Sequence, residues 1–157
     1  MITAVDTNII LDILIPGEPF AQSSKALLER HLAAGQLILC EVVLAELAAR
    51  FPSEAELRAF LAETGMRLVH SNETSLYVAG TRWATYAAKG GKNRLLCAQC
   101  GQAFDAACPR CGTTNVRRLH VLADFLIGAH ALTHADCMIS RDLGVYKTYF
   151  RDLKVVN

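Results

Sequence analysis

The sequence has almost no surplus of charge. Its 16 Lys and Arg stand against 15 Asp and Glu, a formal net charge of +1. That excludes a protein coated in basic residues but leaves room for a local basic patch. Long hydrophobic runs are also missing, since no apolar stretch approaches the roughly 20 residues a membrane-spanning helix needs. The opening residues, MITAVDTNII, lack a basic stretch followed by a long apolar one, so no secretory signal and a cytoplasmic location are expected. There is no internal repeat and no low-complexity tract. What is present, 52% hydrophobic and 20% charged residues, is the composition of a compact globular protein. At 157 residues the simplest expectation is one domain with a sizeable core and room for a small insertion.

Short apolar runs alternate with helical patterns. ITAV (2–5), QLILC (36–40), MRLVH (66–70) and CMIS (137–140) read as buried strands, and LKVV (153–156) as a fifth. Between them, TNIILDIL is a helix stopped by Pro16 and Gly17, and residues 20–34 form another, ended by Gly35. EVVLAELAARF follows the second strand as a helix. Ser53 and Glu56 form a capping box for EAELRAFLAET, which Gly65 closes. Residues 73–89 and the apolar segment VLADFLIGAHAL complete the helices. This order predicts an α/β fold with a mostly parallel central sheet, whose ligands bind beyond the carboxyl ends of its strands.

Four acids sit where an apolar core is expected. Asp6 ends the first strand, Glu46 lies in VVLAELAA, Asp124 lies in VLADFLIGAHAL, and Asp142 follows CMIS by two residues. Each has an ordinary explanation: Asp6 and Asp142 can cap helices, and Glu46 can occupy a narrow polar seam. Together they would repel one another and hold protons. A divalent cation removes that conflict, since carboxylates are hard ligands suited to magnesium or manganese. Such clusters activate water and neutralise charge during displacement at phosphate. Asp12, six residues beyond Asp6, points away from it, and Asp136 and Asp152 read as turn or cap residues.

The order VDTN, VVLAEL, LADFLIGAHAL and MISRD, with the closing SRDLGVYKTYFRDLKV, resembles the PIN-domain ribonucleases, particularly VapC-type toxins of toxin–antitoxin pairs. The resemblance covers roughly residues 3–94 and 120–156. It implies a PIN-like α/β/α sandwich and Mg2+- or Mn2+-dependent cleavage of RNA. It places the family's metal-binding, catalytic acids on Asp6, Glu46, Asp124 and Asp142, with Asn8 and Ser140 in support. It also implies an antitoxin partner and a homodimer.

The sharpest local motif is CAQCGQAFDAACPRCG (97–112). Two Cys-x-x-Cys pairs supply Cys97, Cys100, Cys108 and Cys111, and two-residue gaps let four thiolates reach one tetrahedral Zn2+. The module resembles a short zinc ribbon inserted at about 95–119. Disulfides, a redox-active pair, or iron held as in rubredoxin are its rivals. Cys40 and Cys137, at strand ends, read as buried thiols. Residues 89–118 carry Lys89, Lys92, Arg94, Arg110, Arg117 and Arg118 against the single acid Asp105. Lys92, Arg94, Arg117 and Arg118 are therefore candidate contacts to an RNA backbone, although charge that merely solubilises a tiny zinc-stapled module gives the same pattern.

Two other functions fit the same residues: an RNA-maturation PIN nuclease, and a non-catalytic zinc-stapled adaptor for RNA or protein. The aromatics Tyr77, Trp83, Tyr86, Tyr146, Tyr149 and Phe150 are expected in the core or an interface. His130 and His134, four apart, lack a third ligand on their face.

Overall fold

The structure, a computed structural model, describes residues 1–88, 94–96, 103–105 and 121–157. Cys97, Cys100, Cys108, Cys111, Lys92, Arg117 and Arg118 lie outside the described residues, and of Arg94 only the backbone is described.

Five parallel strands form one sheet. They are β1 (Ile2–Val5), β2 (Gln36–Leu39), β3 (Met66–Leu68), β6 (Cys137–Ile139) and β7 (Val155–Val156), in the order β3-β2-β1-β6-β7. A separate antiparallel pair joins β4 (Arg94–Leu96) to β5 (Ala103–Asp105). Thr3, Ala4 and Val5, Leu37, Ile38 and Leu39, and Cys137, Met138 and Ile139 are all buried. Successive strand residues point to opposite faces, so uninterrupted burial means both faces of the sheet are covered. This is why the strands read as unbroken apolar runs.

Among the described residues seven helices surround the sheet: α1 (Thr7–Leu14), α2 (Ala21–Ala34), α3 (Glu41–Ala48), α4 (Glu54–Thr64), α5 (Glu73–Tyr86), α6 (Val121–His134) and α7 (Gly144–Tyr149). Asp6 caps α1 by accepting from the Thr7 backbone, and Ser53 caps α4 by accepting from that of Glu56. The Ser53 hydroxyl in turn donates to the Glu56 carboxylate at 3.2 Å. Gly65 ends α4 at φ +67°, a backbone conformation that favours glycine.

Several boundaries are shorter than the sequence pattern predicts, and each has a local cause. The EVVLAELAARF helix stops at Ala48 because Pro52 has no N–H and its ring opposes the carbonyl four residues earlier. The chain turns there, with the Arg50 amide donating to the Leu47 carbonyl at 2.8 Å. The last strand begins at Val155 because the Leu153 amide turns back to the Phe150 carbonyl. Helix α7 was not anticipated; its six residues are too few to show a clear helical period.

Helices α5 and α6 run antiparallel. Ser75 meets Thr133 at one end, 2.6 Å between hydroxyl oxygens, and Tyr86 meets Phe125 at the other, 5.7 Å between ring centres. Gly128 admits the Phe150 and Tyr146 rings, which would lie 3.0 Å from a β-carbon there. Tyr86, Tyr146 and Phe150 are buried as expected, whereas Tyr77 and Trp83 are 74% and 40% exposed.

Candidate active site

The carboxyl ends of β1 and β6 are adjacent in the sheet, which brings Asp6 and the Ser140–Asp142 loop together. Helix α3 starts directly after β2 and carries Glu46, while the first turn of α6 carries Asp124. All four acids line a single cavity of about 510 Å³, together with Thr7, Asn8, Leu11, Ala49, Arg50 and Ile127. The topology therefore assembles residues from positions 6 to 142 at the strand ends, where open parallel sheets place their ligands.

Asp6 is the most constrained of the four. Its Oδ1 accepts from the Thr7 amide at 2.8 Å. Its Oδ2 accepts from the Ser140 hydroxyl at 2.5 Å, from Asn8 Nδ2 at 2.7 Å and, at 3.5 Å, from the Tyr146 hydroxyl. Burial pushes the Asp6 carboxyl up to about 6; the Ser140 and Thr7 hydrogen bonds work against that rise, and the charges of Asp142 and Glu46 add to it. Burial also holds the Tyr146 phenol well above its usual value, reinforced by the charges of Asp6, Asp124, Asp142 and Cys40.

The neighbours are equally ordered. Thr7 donates its hydroxyl to Glu46 Oε2, directing that side chain off α3. Ser140 accepts from the Asp142 amide at 3.1 Å, and Asp142 Oδ1 accepts from the Gly144 amide at 3.0 Å. Asn8 Oδ1 accepts from the Arg141 amide at 3.1 Å, fastening α1 to the loop that bears Asp142. Asn8 and Ser140 thus both stand beside Asp6.

The donor chemistry fits a hard divalent cation. Carboxylate oxygens line the cavity, and an ion there would offset the burial of the Asp6 charge and the smaller repulsion from Asp142 and Glu46. Among the described residues, no group of three or more His, Cys, Asp or Glu side chains closes around a single ion. His130 and His134 stack at 4.8 Å, but their Nε2 atoms meet the Val69 carbonyl and the Ser75 hydroxyl.

Sequence reasoning overlooked Thr7, Tyr146 and Arg50. Thr7 stood only as a helix start, and Tyr146 as one aromatic among several. The signal for Arg50 was its spacing, four residues beyond Glu46. Asp12 does point away from the acid cavity, but it is 1% exposed at the side chain and receives both Arg141 Nε (2.7 Å) and Nη2 (2.5 Å). Asp152 lies in a turn, as expected, and Arg82 grips it with two bonds of 2.7 Å. Asp136 accepts from the Ile2 amide at 2.7 Å. Cys40 and Cys137 are buried free thiols, as expected.

Fold and cavity together define an open parallel α/β protein with an acidic cleft at the carboxyl end of its sheet. The chain belongs to the PIN domain family, whose model matches residues 3–106, and PIN domains generally use divalent ions such as Mg2+ or Mn2+. Residues 121–157 lie beyond that match yet supply β6 and β7 of the same sheet. No curated protein matches the sequence.

Among solved structures, VapBC2 from Rickettsia felis, bound to a DNA fragment from their promoter, is similar at a TM-score of 0.63 and 18% identity, over 100% of this chain and 98% of that one. VapBC-1 from nontypeable Haemophilus influenzae is similar at 0.62 and 21%, over 100% and 98%. DNA-bound VapBC from Salmonella typhimurium is similar at 0.59 and 12%, over 99% and 97%. Among the described residues, no helix is long and apolar enough to cross a membrane.

Proposed function

We propose that this chain is a Mg2+- or Mn2+-dependent endoribonuclease, the toxin of a type II toxin–antitoxin pair. The observation that carries the reading is the convergence of Asp6, Glu46, Asp124 and Asp142 on one cavity. The VapBC likenesses support an antitoxin partner, and the homodimer rests on the family resemblance alone.

The four carboxylates would hold the ion, which when bound supplies an activated water and charge neutralisation at the phosphodiester. The protein's own part is order. Thr7, Asn8, Ser140 and Tyr146 hold the Asp6 carboxylate in one orientation with four donors. Thr7 aims Glu46, and the Ser140 and Gly144 bonds fix the Asp142 loop. Side chains locked this way need little rearrangement as substrate binds.

Residues 95–119 form, in this reading, a zinc module interrupting a single PIN-like domain, with Cys97, Cys100, Cys108 and Cys111 as ligands. Lys92, Arg94, Arg117 and Arg118 contact the RNA backbone. The described residues on either side of the segment lie close together, since Tyr86 of α5 packs on Phe125 of α6.

The test is cleavage of total cellular RNA by purified protein with and without Mg2+, with the ends mapped by sequencing. Metal-dependent cuts at defined sites are expected. Asp124→Asn keeps the shape but removes one charge, and should lower cleavage by orders of magnitude while the fold survives. Normal cleavage by that variant removes Asp124 from the site. Binding without cleavage favours the zinc-stapled adaptor, and accurate trimming of a precursor RNA favours the maturation nuclease.

A further inference from the structure

The acid cavity poses an electrostatic problem for the substrate proposed above. Four ionised carboxylates and one divalent cation leave the site negative, yet a phosphodiester brings a further negative charge. A fixed cation at the rim would offset that repulsion. Among the described residues lining the cavity, Arg50 is the one Lys or Arg.

Its backbone setting explains why its charge is available. Glu followed by Arg four residues later is a favourable ion-pair spacing on a helix. Here that pairing is not made. Helix α3 ends at Ala48, so Arg50 falls beyond it in a turn whose amide bonds to the Leu47 carbonyl at 2.8 Å. Glu46 is occupied by the Thr7 hydroxyl. Arg50 is exposed and joins none of the ion pairs among the described residues, where Arg58, Arg82 and Arg141 are each matched to a carboxylate. The Pro52 that stops the helix thus leaves an unmatched guanidinium at the mouth of an acidic cavity.

We propose that Arg50 is a substrate-binding residue that grips a phosphate of single-stranded RNA entering the acid cavity. A guanidinium suits this role because its planar fork matches two phosphate oxygens at once. The proposal rests on the nuclease reading for its substrate and deepens it by assigning a phosphate subsite at the α3 end of the cavity. Because the contact forms with bound RNA before and during reaction, it governs affinity more than turnover.

The experiment compares the parent, Arg50→Ala and Arg50→Lys in binding a labelled single-stranded RNA oligonucleotide in Ca2+ at several salt concentrations. Cleavage of the same oligonucleotide is followed in Mn2+. Arg50→Ala should weaken binding about tenfold or more, as expected for loss of a hydrogen-bonded ion pair. The slope of log affinity against log salt should become shallower by about 0.7. KM should rise with kcat nearly unchanged, Arg50→Lys should recover part of the loss, and melting temperature should stay the same. Equal affinity and equal salt slope for Arg50→Ala and the parent overturn the proposal. If the parent binds RNA in the same assay but never cuts it, the nuclease reading falls while the Arg50 comparison still decides. If the parent does not bind RNA, both fall.

Discussion

Arg141→Ala should be among the most damaging single substitutions available outside the hydrophobic core. Asp12 is 1% exposed at its side chain, and its carboxylate receives Arg141 Nε at 2.7 Å, Arg141 Nη2 at 2.5 Å and the Ser24 hydroxyl at 2.5 Å. Removing the guanidinium leaves a buried charge with one hydroxyl donor. Breaking a buried pair from one side in this way costs about 3–5 kcal/mol. The Arg141 guanidinium also sits 4.4 Å from the centre of the Phe20 ring, and that contact is lost too. Against a total stability of about 5–15 kcal/mol this is a large fraction. For a chain of this size it corresponds to a fall in Tm of roughly 10 °C.

The partners are not equivalent, and this makes the reasoning refutable. Arg141 is 35% exposed, so Asp12→Ala leaves a cation that can turn toward water. That change should cost only about 1–3 kcal/mol. The double variant Asp12→Ala with Arg141→Ala removes both charges and should be more stable than Arg141→Ala alone. Urea unfolding of the parent, both single variants and the double closes the cycle. An Arg141→Ala cost under about 1 kcal/mol would refute the account, as would a double variant less stable than that single.

Three further outcomes are expected. Burial, reinforced by the charges of Arg30 and Lys154, holds the His31 imidazole below its usual value. Below about pH 6.5 the unfolded chain therefore takes up a proton at this position that the folded chain refuses, and the contribution to stability is lost as pH falls. The stability gap between the parent and His31→Gln should accordingly narrow from pH 7.5 to 5.5, and a constant gap counts against it. Protein purified without added metal should contain close to one zinc per chain, retained when Mg2+ is removed by mild chelation; finding iron or oxidised cysteines refutes the zinc module. Changing Lys92, Arg94, Arg117 and Arg118 to Ala should weaken RNA binding and flatten its salt dependence, with zinc content and unfolding midpoint unchanged; unaltered binding would move the module's role to a protein interface.

The parts of the fold legible in sequence are those where one local signal has one cause. Strands buried on both faces leave unbroken apolar runs, so β1, β2 and β6 could be located, and an acid inside or just after such a run stood out. Helix lengths were less legible because they depend on what comes next. Pro52 shortens α3 from a distance of four residues, and the turn at Leu153 delays β7. The pairing of Asp12 with Arg141 spans 129 positions, and nothing near Asp12 announces it. Thr7 and Tyr146 were illegible for a different reason: a hydroxyl in an apolar neighbourhood carries no charge to look anomalous, yet each points at a site acid once the chain is folded.

Asp6 and Asp142 show why the two readings of a strand-end acid were never true alternatives. Asp6 caps α1 with one oxygen, accepts from Ser140, Asn8 and Tyr146 with the other, and lines the cavity; Asp142 accepts from the Gly144 amide at the start of α7 and lines the same cavity. Parallel sheets end their strands where the next helices begin, so a carboxylate there meets unpaired amides and open space together. The amides supply partial positive charge and a fixed orientation. They hold the acid in place before any ion arrives, which lowers the reorganisation that binding requires. Glu46 lies within α3, beyond its first turn. Glu46 depends instead on the Thr7 hydroxyl. A capped acid and a site acid are here the same residue, and the cap is what makes it an ordered ligand.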